Sequence, residues 1–231
     1  MQQRIFGAWS ETDVIPTLLE GLQHLEVEYG NFEKVGIATL MEGRIQCQNT
    51  HSLQNLQNVL QEQSLSGHFG VAYTCPKSAE DMGKNYAAHM CANERIAIVF
   101  HGMIENFAET QHECLALGYP CETQNDGEIV LGILNRYLKI SGISPLDALT
   151  LTLTCLKGYF AIIALFAEEN LLMVARRGCQ IAIGVDENVT LFGSDTKALT
   201  LLSRRVMQLE EGSPTVLCSV AGEIVKGRTV N

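Results

Sequence analysis

Tyr159-Phe-Ala-Ile-Ile-Ala-Leu-Phe-Ala167, followed after Glu168-Glu-Asn170 by Leu171-Leu-Met-Val-Ala175, decides the fold. Two apolar, β-prone runs divided by a short polar turn predict neighbouring antiparallel strands, and neither approaches the roughly 20 residues that span a bilayer. Towards the C-terminus Ile181-Ala-Ile183, Thr190-Leu-Phe192, Val216-Leu-Cys218 and Glu223-Ile-Val225 continue the pattern. Upstream stand Arg4-Ile-Phe-Gly7, Val35-Gly-Ile-Ala-Thr-Leu40, His68-Phe-Gly-Val-Ala-Tyr73 and Arg95-Ile-Ala-Ile-Val-Phe100, which makes about ten strands bounded by Gly or Asn turns. Helical spacing occupies Val14 to Leu25, Ser52 to Gln63, Phe107 to Leu117, Asp126 to Lys139, Pro145 to Leu156 and Thr196 to Leu202. In the Asp126 segment Ile129, Ile133, Leu134, Tyr137 and Leu138 form one apolar stripe. Gln46 to Gln63 is rich in Gln and Asn but carries helix-spaced leucines, so it reads as a polar-faced helix with its lead-in. Strands early and late with helices grouped between them do not alternate as βαβαβα, and the class is α+β rather than doubly wound. No linker-like stretch divides residues 1–231, which read as a single domain.

Composition narrows the function. Of 231 residues 46% are hydrophobic and 18% charged, enough apolar surface for a core and too little charge for disorder. Sixteen Lys+Arg against 26 Asp+Glu leave a net charge of −10, the wrong sign for a surface that tracks phosphates, so nucleic acid is not an expected partner. No run spans a membrane, and Met1-Gln-Gln-Arg-Ile-Phe-Gly-Ala-Trp9 lacks the apolar segment of a signal peptide, which predicts a cytoplasmic protein. The eight cysteines form no C-x-x-C pair and sit mostly inside apolar segments; reduced, buried thiols are expected, with no metal and no cofactor.

Read in order, the segments resemble the glutaminase domain of class II glutamine amidotransferases, most closely that of glucosamine-6-phosphate synthase. The landmarks are Ile5-Phe-Gly-Ala8 beside I-V-G-A, Leu18-Leu-Glu-Gly-Leu22 with Leu25-Glu26 beside L-L-x-G-L-x-x-L-E, and Gly70-Val-Ala-Tyr-Thr74 beside G-I-A-H-T. Gly102-Met-Ile-Glu-Asn106 stands beside G-I-I-E-N, Asp126-Gly-Glu-Ile-Val130 beside D-T-E-V-I, and Leu156-Lys-Gly-Tyr-Phe160 beside L-x-G-A-Y; Ala175-Arg-Arg-Gly178 and Gly193-Ser-Asp195 follow in the same order. The resemblance covers nearly the whole chain and implies the four-layer αββα sandwich of N-terminal-nucleophile hydrolases, without the sugar-isomerase domains of the synthase.

The resemblance also implies a chemistry that these residues do not supply. The family's nucleophile is a first-residue thiol activated by its own α-amino group. Aligned through Ile5-Phe-Gly-Ala8, that position falls on Gln3, an amide preceded by Met1 and Gln2, and no cysteine occurs before Cys47. The arginine that would hold the substrate carboxylate is replaced at Cys75-Pro76, and the N-G of the oxyanion hole is His101-Gly102. Glu26-Val-Glu-Tyr-Gly-Asn-Phe32 replaces E-Y-R-G-Y-D-S and loses a second arginine. Asp126, which in the family pairs with the substrate ammonium, remains, with Gly127 after it.

Three functions follow as expectations. One is a catalytically degenerate amidotransferase-like domain that binds or regulates, its pocket formed by Cys75, His101, Gly102, Asp126 and Gly127 and its partner a protein or a small amino-acid-like ligand. A second is a hydrolase or metal-dependent enzyme using Cys75, His101 and Asp126, since thiol, imidazole and carboxylate are the groups of a cysteine hydrolase or a three-ligand metal site. Against it stand plainer roles, Cys75 as a filler and His101 as a turn cap; His89 reads as structural, and Cys91 adds a weak second case for metal. The third is an interaction module using the polar face of Ser52 to Gln63, which a solvated helix would equally present.

Overall fold

The computed structural model describes residues 4–76, 89–116, 118, 125–212, 214–218 and 224–226. Among them are thirteen strands and six helices: β1 (Arg4–Ser10), α1 (Ile15–Tyr29), β2 (Phe32–Met41), β3 (Arg44–Thr50), α2 (Leu53–Glu62), β4 (Phe69–Pro76), β5 (His89–Ala92), β6 (Ile96–Ile104), α3 (Phe107–Ala116), α4 (Asp126–Leu138), α5 (Pro145–Cys155), β7 (Gly158–Phe166), β8 (Leu171–Arg177), β9 (Ala182–Val185), β10 (Val189–Gly193), α6 (Thr196–Leu202), β11 (Val206–Gln208), β12 (Thr215–Cys218) and β13 (Ile224–Lys226). One sheet runs β11-β9-β10-β1-β4-β2-β3 and the other β13-β12-β8-β7-β6-β5. The expected β7–β8 hairpin is present, antiparallel from Ala161↔Arg176 to Phe166↔Leu171.

Three clusters of buried side chains define the layers. Ile5, Val71, Tyr73, Val99, Ile163 and Phe192 fill the space between the sheets. Phe6, Leu18, Leu22, Leu56 and Leu199 bury the outer face of the first sheet under α1, α2 and α6. Phe100, Ile129, Leu134, Leu149 and Phe160 do the same for the second sheet under α4 and α5, with Cys114 of α3. The fold is therefore α+β, a four-layer αββα sandwich. Because β6 and β7 are covered on both faces, their sequences lack polar alternation, which is why they read as continuous apolar runs.

The helices follow their local chemistry. Ser52 accepts from the Asn55 N–H to cap α2, Ser144 and Asp147 form a capping box on α5, and Asp195 accepts from Ala198 N to start α6. α1 begins with Pro16 in its first turn and runs four residues beyond the expected end at Leu25, to Gly30 at φ +82°. The lead-in to α2 is corrected: residues from Gln46 to Thr50 belong to the edge strand β3, joined to β2 by the Glu42-Gly43 turn. Its Gln and Asn side chains suit an edge that pairs on one side only. Strands β5 and β11 also lie outside the ten expected from sequence. None of Cys47, Cys75, Cys114, Cys155 and Cys179 is in a disulfide; Cys75 and Cys114 are buried and the other three half-buried, with burial pushing Cys47 and Cys179 up to about 11.

At Gly7 the two sheets leave no room for a side chain: a β-carbon there would lie 2.8 Å from Ile163 Cγ2. Gly7→Ala should therefore destabilise the protein by about 1–3 kcal/mol, and Ile163→Ala by about 2–5 kcal/mol through the cavity it leaves. Urea unfolding of the double variant should show a loss smaller than the sum, since each change relieves the other; strict additivity would mean that the sheets do not meet there.

Candidate functional site

At the start of β1, Arg4 lies beside Thr74 of β4, and its Nε donates to Asp195 Oδ2 at 2.7 Å. Tyr29 Oη donates to the same oxygen at 2.6 Å, and the guanidinium lies 4.4 Å over the Tyr29 ring. Burial alone would raise the Asp195 carboxyl, but the hydrogen bonds from Tyr29, Ala198 N and Arg4, with the charge of Arg4, hold it below the ordinary carboxylate range. Ser194 completes the anchor: Ile5 N donates to its Oγ and its own N–H donates to Ile5 O, both at 3.0 Å. The Gly193-Ser-Asp195 landmark thus fastens the first strand directly after the position where the resemblance places the nucleophile. Gln3 itself lies outside the described residues.

Strand alternation places Cys75 and His101 on the inward sides of opposite sheets. Tyr73 belongs to the inter-sheet core, and Cys75, two residues on, is 7% exposed. Val99 belongs to the same core, and His101 follows it in β6, paired with Ala161. His101 is therefore a mid-strand residue and not a turn cap. Its Nδ1 is buried with no hydrogen-bond partner among the described residues, and burial together with the positive charge of Arg4 pushes its pKa down to about 4. At neutral pH it is an uncharged imidazole able to donate or accept one hydrogen bond.

Gly102 has φ +130°, and a β-carbon there would lie 2.2 Å from Tyr159 O and 2.5 Å from Phe160 Cα. Only glycine fits. Two residues on, Ile104 N donates to Asp126 Oδ2 at 3.0 Å, so the carboxylate at the head of α4 closes the end of β6. Asp126 is 6% exposed, and burial lifts its pKa to about 6 against the lowering pull of the Ile104 N–H. Gly127 is buried behind it, donating to the Asn125 side chain that caps α4.

The five expected pocket residues thus divide. Cys75 and His101 face the inter-sheet space, whereas Gly102, Asp126 and Gly127 form the junction of β6 with α4. Cys75, His101 and Asp126 do not form a group that could hold a metal, and no such group of three or more His, Cys, Asp or Glu occurs among the described residues. Asp126 Oδ2 accepts from Ile104 N, and the metal-dependent alternative gains no support among the described residues. The side chains of His89 and Cys91 lie outside the described residues. Two contributors were missed in the sequence, Arg4 and Asn125. A charged residue opening an otherwise apolar strand is a signal that a buried partner exists, and Asn before Asp-Gly-Glu is a cap signal.

A sandwich of two antiparallel sheets between helical layers, its first strand clamped through Arg4, is the fold that the resemblance implies. The profile of the glutamine amidotransferase domain family matches residues 81–201, just over half of the chain. The chain belongs to that family, in its class II branch. It is 35% identical over 215 residues to the glutamine--fructose-6-phosphate aminotransferase [isomerizing] of Bartonella henselae and 36% identical over 211 residues to that of Gluconobacter oxydans, covering 92% and 90% of this chain. It spans 35% and 34% of those relatives, about a third of their length. Among solved structures, the glutamine phosphoribosylpyrophosphate amidotransferase of B. subtilis superposes with a TM-score of 0.77 at 16% identity, over 96% of this chain and 49% of that one. A glutamine aminotransferase class-II domain protein from Silicibacter pomeroyi gives 0.63 at 9% identity, over 96% and 98%. No helix among the described residues is long and apolar enough to cross a membrane.

Two predictions follow from this end of the sheets. Gly102→Ala should lose about 3 kcal/mol or more in thermal or urea unfolding, because the strained φ and the β7 backbone both oppose a β-carbon. The buried titrations of His101 and Asp126 oppose each other. His101, lowered in the fold, contributes stability above its unfolded value of 6.5 that is lost as pH falls towards 4; Asp126, raised, contributes stability below its unfolded value of 3.8 that is lost as pH rises through 6. Relative to the parent, His101→Gln should therefore gain stability as pH falls from neutrality, and Asp126→Asn should gain as pH rises, each on the order of 1 kcal/mol after solvent screening. Melting temperatures across pH check both signs.

Proposed function

We propose that this chain is a binding or regulatory member of the glutamine amidotransferase family without ordinary glutaminase turnover. The observation that carries the reading is Gln3, immediately before the clamped Arg4, at the position where the family resemblance requires a nucleophile. An amide cannot attack a carbonyl. The rest of the site supports the same reading. Arg4 is engaged by Asp195 and Tyr29, and Cys75 takes the place of the arginine that would hold a substrate carboxylate. His101 takes the place of the amide donor of the oxyanion hole; losing one such donor typically costs about 10²–10³ in rate, and losing the nucleophile removes the covalent route.

The inter-sheet face retains a neutral imidazole and a buried thiol, while the Asp126 carboxylate is engaged by Ile104 N at the β6–α4 junction, so a small amino-acid-like ligand would meet no carboxylate anchor there. The alternative of a protein docked on α2 draws less support. Gln54 Nε2 donates to Asn58 Oδ1 at 3.2 Å and Gln48 Nε2 to Gln63 Oε1 at 2.6 Å, so part of that polar face is satisfied internally.

The purified protein should release no glutamate from glutamine above blank, and calorimetry should show free glutamine binding weakly or not at all, because burying an unpaired carboxylate costs several kcal/mol. Deleting Met1 and Gln2 and changing Gln3→Cys should not restore turnover, with Cys75 and His101 still in place. Glutamate release abolished by a single pocket substitution, or micromolar glutamine affinity, would overturn the proposal.

A further inference from the structure

The opposite end of the same strands holds a second cavity, of about 400 Å³, that the amidotransferase site does not use. Trp9 closes β1 there and Phe69 opens β4, so two aromatic residues 7% and 2% exposed form the inner wall, with Met41 beside them. The polar residues that line it are Glu11, Glu42, His68 and Asn170, with no Lys or Arg among the described residues of the lining. Apolar side chains beneath two carboxylates favour a cation with an apolar body, drawn by the rim charge.

The rim is built to present acceptors. Glu11 N donates to Asn188 O at 3.1 Å, and with the Asn188 amide turned to satisfy both of its ends, its nitrogen donates to Glu11 Oε2 at 3.2 Å. His68 Nδ1 lies 3.0 Å from Ser10 O, a contact that requires the proton on Nδ1 and leaves Nε2 as an acceptor. Glu42 occupies the first position of the two-residue β2–β3 turn at φ +50°, followed by Gly43 at +72°. Such turns favour Asn or Gly there, and glutamate is retained against that preference. Among the described residues the non-glycine residues at positive φ are Glu42 and Asn170, and both line this cavity.

We propose that this cavity binds a small primary ammonium compound with an aryl or alkyl body. The ammonium has three donors for the Glu11, Glu42 and His68 acceptors, and its body lies against Trp9 and Phe69. Trp9 is the one tryptophan of the chain, so its fluorescence reads the cavity directly.

Phenethylammonium, 2-phenylethanol and phenylacetate share a ring and differ in charge, which makes them the probes for a titration of the intact chain. Phenethylammonium should give a saturable change in Trp9 emission and bind at least about tenfold more tightly than the alcohol, with phenylacetate weakest. Glu11→Gln and Glu42→Asn, the latter suited to the turn, should each weaken phenethylammonium by about fivefold and leave the alcohol unchanged. Equal affinity for the three probes, preference for phenylacetate, insensitivity to both substitutions in folded variants, or the absence of a saturable response would each overturn the proposal. None of these readouts involves glutamine, so the fate of the other site does not bear on them.

Discussion

Both sheets are apolar on both faces, and this constraint governs where everything else in the molecule can be. A sheet buried on one side by helices and on the other by a second sheet leaves few places for polar side chains in its central strands, and Thr39 and His101, each with a buried polar atom lacking a hydrogen-bond partner among the described residues, are exceptions. Ile163, Val99 and Val71 on the inner faces and Phe6, Phe100 and Phe160 on the outer ones show the result. Polar chemistry is pushed to the strand ends, where side chains reach loops and helix termini. The two sites lie there, one at the Arg4 end of β1 and the other at its Trp9 end.

The Arg4 end also shows what a buried charge demands. A guanidinium 11% exposed is tolerable because Asp195 pairs with it and Tyr29 lies under it, and Asp195 is itself held by the first turn of α6. The anchor couples the first strand to a segment 191 residues away in sequence. The charge extends further than its own contacts, since it also disfavours protonation of His101 on the facing sheet. Burial first, and the charge of Arg4 second, keep the His101 imidazole neutral.

Much of this was legible in the sequence because burial on two faces leaves a strong signature. β7 and β8 read directly from their composition, and α6 and the start of α4 from Asp195 and Asp126 near the first helical position. The edge strand β3 was not legible, because Gln, Cys and Asn on a half-solvated edge carry no strand periodicity, and the Glu42-Gly43 turn lacks the usual Asn or Asp at its first position. The site was legible residue by residue but not in its geometry. Composition grouped Cys75, His101 and Asp126 as thiol, imidazole and carboxylate, whereas in the structure the Asp126 carboxylate is engaged by Ile104 N at the start of α4.

That division separates what remains of the family's pocket from what has changed. Gly102 is retained where a β-carbon would meet the backbone of β7, Asp126 where it satisfies the Ile104 N–H, and Asp195 where it caps α6 and neutralises Arg4. Each would be required of this fold with no substrate present. Their persistence is therefore no argument for turnover. Cys75, one residue from the end of β4, and His101, inside β6, are under no such backbone constraint. Among the described residues the buried His101 Nδ1 has no hydrogen-bond partner, a cost that no backbone constraint of this fold requires.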